Sequence, residues 1–321
     1  MIIKERTIPE KILILEALLR RLQKTHPKIP QIESELAKSY AGYRGEQSID
    51  YHLTFLPEKD YLILQDLRLS NGKYFFQMDT LLLSQYYALV IEIKNIAGTL
   101  FFDQQFHQLI RTNSDSEDGF ADPILQAINH KRQFSQWLEQ HKMEPLPVEY
   151  IVAVSNPSTI IKTNPGNALV LEKVCHAAFL LQKIKCFNEQ NPKVKYDMGS
   201  LKKLAKLLVK KHTPLQSNIL QKLEIEKSDI IIGVRCPECS SIPMKYERRT
   251  WVCPRCQHKS KDAHIEAIQD YFLLINIKIT AHQFREYLRI SSISAASKLL
   301  TSMDLPYTGE RKGRVYHNAP Y

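Results

Sequence analysis

The sequence lacks any apolar segment long enough to cross a membrane as a helix. Its N-terminal apolar run, ILILEALL at 12–19, is short and contains Glu16, and no small-residue cleavage site follows it. The sequence therefore predicts no membrane partner and no secretory leader, and the cytoplasm is the expected location.

Cysteine and glycine are both scarce in this chain. Its 321 residues include six cysteines and ten glycines, with 44% hydrophobic residues. Four cysteines form two close pairs, whereas Cys175 and Cys186 are isolated, which is typical of a metal site with reduced thiols rather than a disulfide framework. We expect the two isolated thiols to be buried and inert. The length allows more than one domain and a sizeable core, so we expect a soluble globular protein.

The first part of the chain, residues 1–199, has no excess of positive or negative charge. Residues 200–321 contain 21 of the 44 Lys and Arg and 11 of the 34 Asp and Glu, which leaves 23 of each sign in residues 1–199. A basic second part is typical of a protein that binds a polyanion, and nucleic acid is the commonest one. The alternative is a solvated basic surface.

An acid and a lysine interrupt the otherwise apolar segment YALVIEIKN at 87–95. In a β-strand, Val90, Glu92 and Lys94 would share one face. A second acid, Asp79, lies in the preceding apolar run, where an antiparallel neighbour would bring it close. Because charged side chains are rarely buried without partners, this pattern predicts a metal site. The alternative is a solvated strand, on which such triplets are common.

These residue types suit phosphodiester hydrolysis. Mg²⁺ prefers carboxylate oxygens and retains several waters, and a metal-bound water is a better nucleophile at neutral pH than bulk water. Lys94 would hold the attacking water or neutralise the charge that develops on a phosphate.

The pattern of apolar residues predicts an α, β, β, β, α, β order. Gly42 and Gly45 would permit a close backbone approach around Glu46 in the second helix. Asp122 and Pro123 have the residue types of a helix cap and first turn. The predicted elements are helices at 8–24 and 31–55, an antiparallel meander at 60–69, 74–84, 87–94 and 98–103, a loop at 112–119, a helix at 122–140, a buried strand at 148–155 and a helix at 168–187.

Four ordered segments resemble the nuclease-related domain family, NERD, of the PD-(D/E)xK nuclease-like superfamily. They are GYRGE at 42–46, QMDTLLL at 77–83, VIEIKNIAG at 90–98 and DPILQ at 122–126, and the resemblance covers about 38–155. It implies an α/β fold with a restriction-endonuclease-like αβββαβ core. Thr80 stands where many members carry histidine. The residue roles that the resemblance implies are metal ligands at Asp79 and Glu92 for Mg²⁺ or Mn²⁺, a catalytic lysine at Lys94, and supporting residues at Glu46 and Gln126. For Gln126 and Glu46, an exposed helix position is the alternative.

Two C-x-x-C motifs, CPEC at 236–239 and CPRC at 253–256, form the strongest single motif of the chain. Four thiolates can surround Zn²⁺ tetrahedrally, and the intervening residues are long enough for the strands of a small zinc ribbon. We expect a structural zinc held by Cys236, Cys239, Cys253 and Cys256, with His258 a weaker substitute ligand. Trp251 is expected in the core. The basic residues expected to contact nucleic acid on the ribbon are Lys245, Arg248, Arg249 and Arg255.

The last part of the chain resembles a winged helix-turn-helix. Helices are predicted at 262–275, 280–289 and 292–303, and the basic segment GERKGRVYH follows at 309–317. In this arrangement Ser294, Ser297 and Lys298 would face a groove. The residues expected to contact phosphates are Arg311, Lys312 and Arg314. The alternative is a small helical cap.

These observations predict a division into several regions. They are an N-terminal helical extension at 1–37, a nuclease-like domain at 38–190, a basic helical linker at 191–230, the zinc ribbon at 231–261 and the helical module at 262–321. The leading hypothesis is a metal-dependent nuclease acting on DNA. The alternatives are a nucleic-acid-binding protein without catalysis on a nuclease-like scaffold and a zinc-ribbon adaptor that binds a protein. Nothing in the sequence indicates an oligomeric state.

Overall fold

A computed structural model describes residues 1–114, 116–215 and 217–318. These residues form two compact units, which are Met1–Ile8 with Tyr40–Leu215, and Pro9–Ser39 with Gln216–Tyr321. Within the described ranges, every helix is too short or too polar to span a bilayer.

The helices and strands are numbered in chain order. The helices are α1 Glu10–Arg21, α2 Ile29–Leu53, α3 Pro123–Gln140, α4 Ala168–Lys173, α5 Leu180–Gln190, α6 Met198–Lys211, α7 Ile219–Lys222, α8 His264–Leu274, α9 Ala281–Leu288 and α10 Ile293–Ser302. The strands are β1 Ile2–Lys4, β2 Tyr61–Ser70, β3 Phe75–Ser84, β4 Ala88–Lys94, β5 Thr99–Asp103, β6 Gln108–Thr112, β7 Glu117–Ala121, β8 Val148–Val154, β9 Ile160–Thr163, β10 Val174–His176, β11 Lys245–Glu247, β12 Thr250–Val252, β13 Lys259–Ser260, β14 Lys278–Thr280, β15 Tyr307–Thr308 and β16 Val315–His317.

The first unit is built on a mixed six-stranded sheet with the order β1-β2-β3-β4-β8-β10. Strands β2, β3 and β4 form an antiparallel meander, and β8 lies parallel to β4 after the crossover through α3. Asp122 caps α3 by accepting the Ile124 N–H, and Pro123 occupies the first turn. The α/β class is confirmed, and α2, β2, β3, β4, α3 and β8 follow one another in the predicted order.

Strand β4 lies inside the sheet and is covered on both faces. Val90 belongs to the apolar cluster that contains residues of α3 and α6, whereas Leu89 and Ile91 belong to the cluster that contains residues of α2 and α5. A strand buried on both faces has an almost continuous apolar sequence. Glu92 and Lys94 are the departures from that sequence, and they occur where the strand ends.

Three sequence-based expectations about the first unit are wrong in detail. Residues 98–103 do not extend the meander, because β5 belongs to a second sheet with the order β7-β6-β5-β9. The expected loop at 112–119 instead includes the end of β6 and the start of β7, whose polar, exposed residues give no apolar alternation. The expected helix at 168–187 is divided, because the apolar Val174 and Cys175 add β10 as an edge strand beside β8.

Helix α6 lies within the segment predicted as a basic linker. Its Leu201, Leu204 and Leu208 are buried in the core of the first unit. The lysines Lys202, Lys203, Lys206, Lys210 and Lys211 are not among its buried residues. The leucine stripe therefore docks the helix and leaves a solvated lysine face.

The second unit contains two small three-stranded sheets, with the orders β11-β12-β13 and β14-β16-β15. Helices α8, α9 and α10 alternate with the second sheet in the order α8, β14, α9, α10, β15, β16. This is the order of a winged helix, in which the last strand lies between the other two. Thr280 caps α9 through a capping box with Gln283.

Candidate active site and metal centre

Asp79 lies where the pairing of β3 is interrupted on both sides. The β3–β4 ladder begins with the pair Thr80 and Ile91, and next to this pair the carboxylate of Asp79 accepts the Ile93 N–H at 2.8 Å. On the side of β2, Thr80 pairs with Gln65 and Met78 pairs with Leu67, so the register omits Asp79. It also omits Asp66 on β2, which has a left-handed φ of 50°. The carboxylate thus replaces a backbone partner at the end of the ladder.

Lys94 joins strand β4 to helix α3. Its Nζ donates to Glu92 Oε1 at 2.8 Å and to Gln126 Oε1 at 3.0 Å. The Glu92 side chain is only 1% exposed, whereas the Lys94 side chain is 23% exposed. A buried carboxylate needs such a partner, since an unpaired charge in the interior is strongly destabilising.

His130 lies one helical turn beyond Gln126 and approaches the other oxygen of the same glutamate. Its Nδ1 is 3.3 Å from Glu92 Oε2, and the side chain is 13% exposed. The approach does not have hydrogen-bond geometry, so both buried atoms lack a hydrogen-bond partner among the described residues. The sequence analysis did not include His130 among the site residues, although its i, i+4 spacing from Gln126 could have indicated a shared face.

Glu46 is held by Arg6, a residue that the sequence analysis missed. Arg6 Nη1 donates to Glu46 Oε2 at 2.5 Å, and its Nε donates to Asp50 Oδ2 at 2.8 Å. Nη2 of the same side chain donates to the backbone carbonyl of Asp79 at 2.9 Å and to Thr80 Oγ1 at 3.1 Å. One guanidinium therefore connects helix α2 to the middle of β3.

Gly45 allows α2 to approach the ends of β4 and β8. A Cβ at this position would lie 2.3 Å from Asn95 Cβ and 2.7 Å from Ser155 Oγ. A Cβ at Gly42 would have no neighbour within 4 Å, so the expectation of close approach is wrong for that glycine. Gly45 thus permits the packing that brings Glu46 to the sheet.

The pKa values of the carboxyl groups in this region are shifted in opposite directions. Burial raises the pKa of Asp79 well above its ordinary value, and the charges of Glu92 and Glu46 raise it further. Burial would also raise the pKa of Glu92, but the contact with His130 and the charge of Lys94 lower it overall. Burial likewise raises the pKa of Glu46. The region therefore has less positive charge than its acids require, and a bound cation would supply it.

The donor set fits a divalent cation that keeps much of its water. Within the described ranges, the four cysteines are the only group that brings three or more His, Cys, Asp or Glu ligand atoms within 4.8 Å of one another. Asp79, Glu46 and Glu92 thus do not form a closed cage. Mg²⁺ is commonly bound through one or two carboxylates plus waters and substrate phosphates. The buried Glu92 Oε2, with no hydrogen-bond partner among those residues, is a suitable ligand atom.

The four cysteines of the second unit converge as the sequence predicts. Cys236 Sγ and Cys256 Sγ are 3.6 Å apart, and Cys239 Sγ and Cys253 Sγ are 3.5 Å apart. A tetrahedral zinc with Zn–S bonds near 2.3 Å requires sulfur separations of about 3.8 Å. The cluster could therefore hold a zinc ion.

The two halves of the cluster have the same backbone geometry. The N–H of Cys236 donates to Ser241 O, and the N–H of Cys253 donates to His258 O, each at 2.9 Å. His258 thus supports the second half through its carbonyl and is not a member of the ligand group. Trp251 is fully buried beside the cluster, as expected.

The two isolated cysteines differ from each other. Cys175 is buried, and burial raises its pKa to about 12, in agreement with the expected inert thiol. Cys186 is only partly buried, so that expectation is wrong. Its helix α5 buries other positions instead.

The basic residues expected to contact nucleic acid lie at the surface of the second unit. Lys245, Arg248 and Arg249 are exposed around the β11–β12 turn, and Lys298 is exposed on α10. The other predicted contacts are Arg311, which is exposed, Arg314, whose guanidinium lies 4.5 Å from the centre of the Tyr307 ring, and Lys312, whose side chain lies outside the described part of the chain.

The first unit is an α/β domain with the buried Glu92 and the partly exposed Lys94 at the end of β4, and the second has a four-cysteine site. Residues 41–155 match the family model described as the nuclease-related domain, NERD. The resemblance inferred from the sequence is confirmed for these residues. The matched segment includes Glu46, Asp79, Glu92, Lys94 and Gln126. No curated protein and no solved structure matches the chain.

Proposed function

We propose that the protein is a metal-dependent nuclease that hydrolyses phosphodiester bonds in DNA. The observation that carries the proposal is the buried Glu92, held by Lys94 and contacted by His130 beside Asp79, within a nuclease-related domain. A nuclease-related function follows from the domain, whereas hydrolysis of DNA in the cytoplasm is the finer part of the proposal.

Asp79 and Glu92 would hold Mg²⁺ or Mn²⁺ through their carboxylates. A bound ion would polarise the phosphate and lower the pKa of water. Lys94 Nζ, still partly exposed, would neutralise charge on the phosphate oxygens as the bond breaks. Gln126 Oε1 keeps the lysine over the strand end, and Glu46 supports the acidic side of the site.

The second unit would hold the substrate. The face of α10 that contains Ser294, Ser297 and Lys298 is exposed, as a helix that enters the major groove of DNA must be. Arg311 and Arg314 would contact phosphates next to that helix. The four-cysteine cluster would bind a structural Zn²⁺, because four thiolates leave no coordination position open.

A second candidate is a nucleic-acid-binding protein on an inactive nuclease scaffold. Thr80, where many related sequences carry histidine, favours it, because its hydroxyl accepts a hydrogen bond from Arg6 and presents no basic group. In that case the acidic site would position phosphates without cleaving them.

Cleavage of labelled DNA distinguishes the two candidates. The purified full chain should cut linear, branched or single-stranded DNA with Mg²⁺ or Mn²⁺ and lose this activity with EDTA. Asp79→Asn and Lys94→Met should each lower the rate by at least about 100-fold, since each removes a charge at the reacting phosphate. Lys173→Met is the matched control, because Lys173 pairs with Glu149 at the opposite end of β8.

Full activity in both site variants would refute the assignment of these residues. DNA binding without metal-dependent cleavage by the native chain would establish the second candidate.

A further inference from the structure

The segment Met1–Ile8 belongs to the first unit but lies outside the residues that match the nuclease-related domain. Strand β1 pairs in parallel with β2 at the edge of the sheet. Beyond it, the Arg6 N–H donates to Gln65 Oε1 at 2.7 Å, and Lys4 Nζ donates to the Gln65 carbonyl at 2.9 Å. These contacts attach the chain to Gln65 at Arg6 and two residues before it.

The Arg6 side chain is 3% exposed, and its contacts are charged or polar. Nε and Nη2 form a bidentate pair with the Asp50 carboxylate, and Nη1 is committed to Glu46. Nη2 also reaches the Asp79 carbonyl and Thr80 Oγ1. Only the planar guanidinium has donors in a geometry that serves a helix and a strand at once, and a lysine ammonium could not reproduce it.

The partners of Arg6 are the elements that carry the acidic residues of the candidate active site. Asp50 and Glu46 are one turn apart on α2, and Asp79 carries the carboxylate that accepts the Ile93 N–H where the pairing of β3 with β4 ends. Arg6 contacts the backbone of Asp79 and leaves its carboxylate to the site. Without the guanidinium, the acids of α2 and β3 would repel each other without a shared cation.

We propose that Arg6 is a positioning residue of the candidate active site, so that the nuclease-related domain requires the N-terminal segment that supplies it. Arg6 holds the Glu46 carboxylate and the middle of β3 around Asp79 in the spacing that a divalent cation needs. This inference rests on the proposed function, because it assigns Arg6 a role in the same metal site. Residues that orient the groups around a metal typically change its affinity 10- to 100-fold when they are replaced.

Mn²⁺ binding tests the inference without any need for turnover. The full chain, purified with zinc present, is titrated with Mn²⁺ by calorimetry in the absence of DNA. Arg6→Gln should weaken binding by about 10- to 100-fold, and Arg6→Lys should weaken it as well because it lacks the bidentate fork. Lys173→Met, which also removes a buried cation from the first unit, should bind Mn²⁺ like the native chain even if it melts at a lower temperature.

A double-mutant comparison distinguishes a positioning role of Arg6 from a general contribution to stability. If Arg6 acts through Glu46, Arg6→Gln should weaken Mn²⁺ binding much less in a Glu46→Gln background than in the native chain. Arg6 variants that lose thermal stability but bind Mn²⁺ with native affinity would overturn the inference. If the native chain and the Arg6 variants bind Mn²⁺ equally well, the proposed function still stands and only the role of Arg6 is refuted. Native protein that binds no Mn²⁺ would refute both.

Discussion

The four-cysteine site and the candidate active site are assembled in different ways. Each half of the cysteine site comes from one short C-x-x-C turn, and both halves repeat the same backbone hydrogen bond. The candidate active site instead combines the segment after β1 with α2, β3, β4 and α3. The first site depends on local spacing, whereas the second depends on the fold of a whole unit.

The four-cysteine site and the candidate active site also differ in how the charges of their ligands are balanced. The cysteine site contains ligands of one kind, which a single ion can satisfy together. In the candidate active site, Lys94 already pairs with Glu92 and Arg6 pairs with Glu46. Among the described residues, Glu92 Oε2 has no hydrogen-bond partner. Loss of metal should therefore affect folding at the first site and chemistry at the second.

The largest expected effect is the loss of the second unit's packing on removal of zinc. Cys236 and Cys253 are fully buried in the same apolar cluster as Trp251, so an empty site would leave thiols at its centre. Structural zinc sites contribute on the order of 10 kcal/mol of binding free energy to folding. The chain has two tryptophans, Trp137 in the first unit and Trp251 in the second, and each can be observed alone after Phe replaces the other.

Chelation should change the Trp251 fluorescence of a Trp137→Phe protein while the Trp137 signal of a Trp251→Phe protein stays native. Cys236→Ser should reproduce the change, and Cys186→Ser should not, because Cys186 is outside the cluster. A Trp251 signal that is indifferent to both chelation and Cys236→Ser would show that the site does not stabilise the unit.

A smaller effect should follow from filling the space at Gly45. Gly45→Ala places a methyl group 2.3 Å from Asn95 Cβ, so the helix or the strand end must move. Overpacking of this kind costs about 1–3 kcal/mol and should lower the urea midpoint of the Trp137 transition. The same change should weaken Mn²⁺ binding, because α2 carries Glu46.

Gly42→Ala is the matched control for this packing. A methyl group there meets nothing within 4 Å, and alanine favours a helix over glycine by about 0.8–1.0 kcal/mol. The control should therefore be neutral or stabilising. A gain of stability in both variants would mean that helix propensity, and not the contact of Gly45, decides the result.

The same contrast explains how much the sequence predicts. The cysteine ligands follow from spacing alone, and the caps at Asp122 and Thr280 locate helix starts because they act on adjacent residues. Asp79, Glu92 and Lys94 are predicted from charged residues within apolar strands, and the family resemblance adds the individual roles and the fold that unites them. Arg6 was missed because its partners lie 40–74 residues away and no motif surrounds it.

The second sheet was missed for a different physical reason. Strand β7 is mostly exposed, so its sequence EDGFA has no apolar face to reveal it. Strand β9 is also partly exposed, and it pairs with β5 over a long sequence separation. Pairing between distant, partly exposed segments depends on backbone hydrogen bonds, and these do not require particular residue types.

The smallest expected effect concerns one histidine in each unit, the partly buried His212 and the buried His264. His212 Nδ1 accepts the Arg68 N–H at 3.1 Å, and His264 Nδ1 accepts the Trp251 Nε1–H at 3.2 Å. Burial lowers the pKa of both histidines, and the charge of Lys4 lowers the pKa of His212 further. Both rings are therefore favoured in the neutral form.

The direction of the pH dependence follows from these lowered pKa values. Above the unfolded pKa of about 6.5 the folded and unfolded chains bind the same number of protons at these rings, and their stabilising contribution is complete. As the pH falls below that value, the unfolded chain takes up protons first, so stability is lost until the folded pKa is passed. His212→Gln should flatten the decline of the first unit's urea midpoint between pH 7 and pH 5, and His264→Gln should flatten only that of the second. The second unit should retain a steeper decline in both variants, because protonation of its cysteines would also release a zinc ion held by them. An unchanged slope in His212→Gln would mean that the ring has the same pKa in the folded and unfolded chains, contrary to the pKa that its burial lowers.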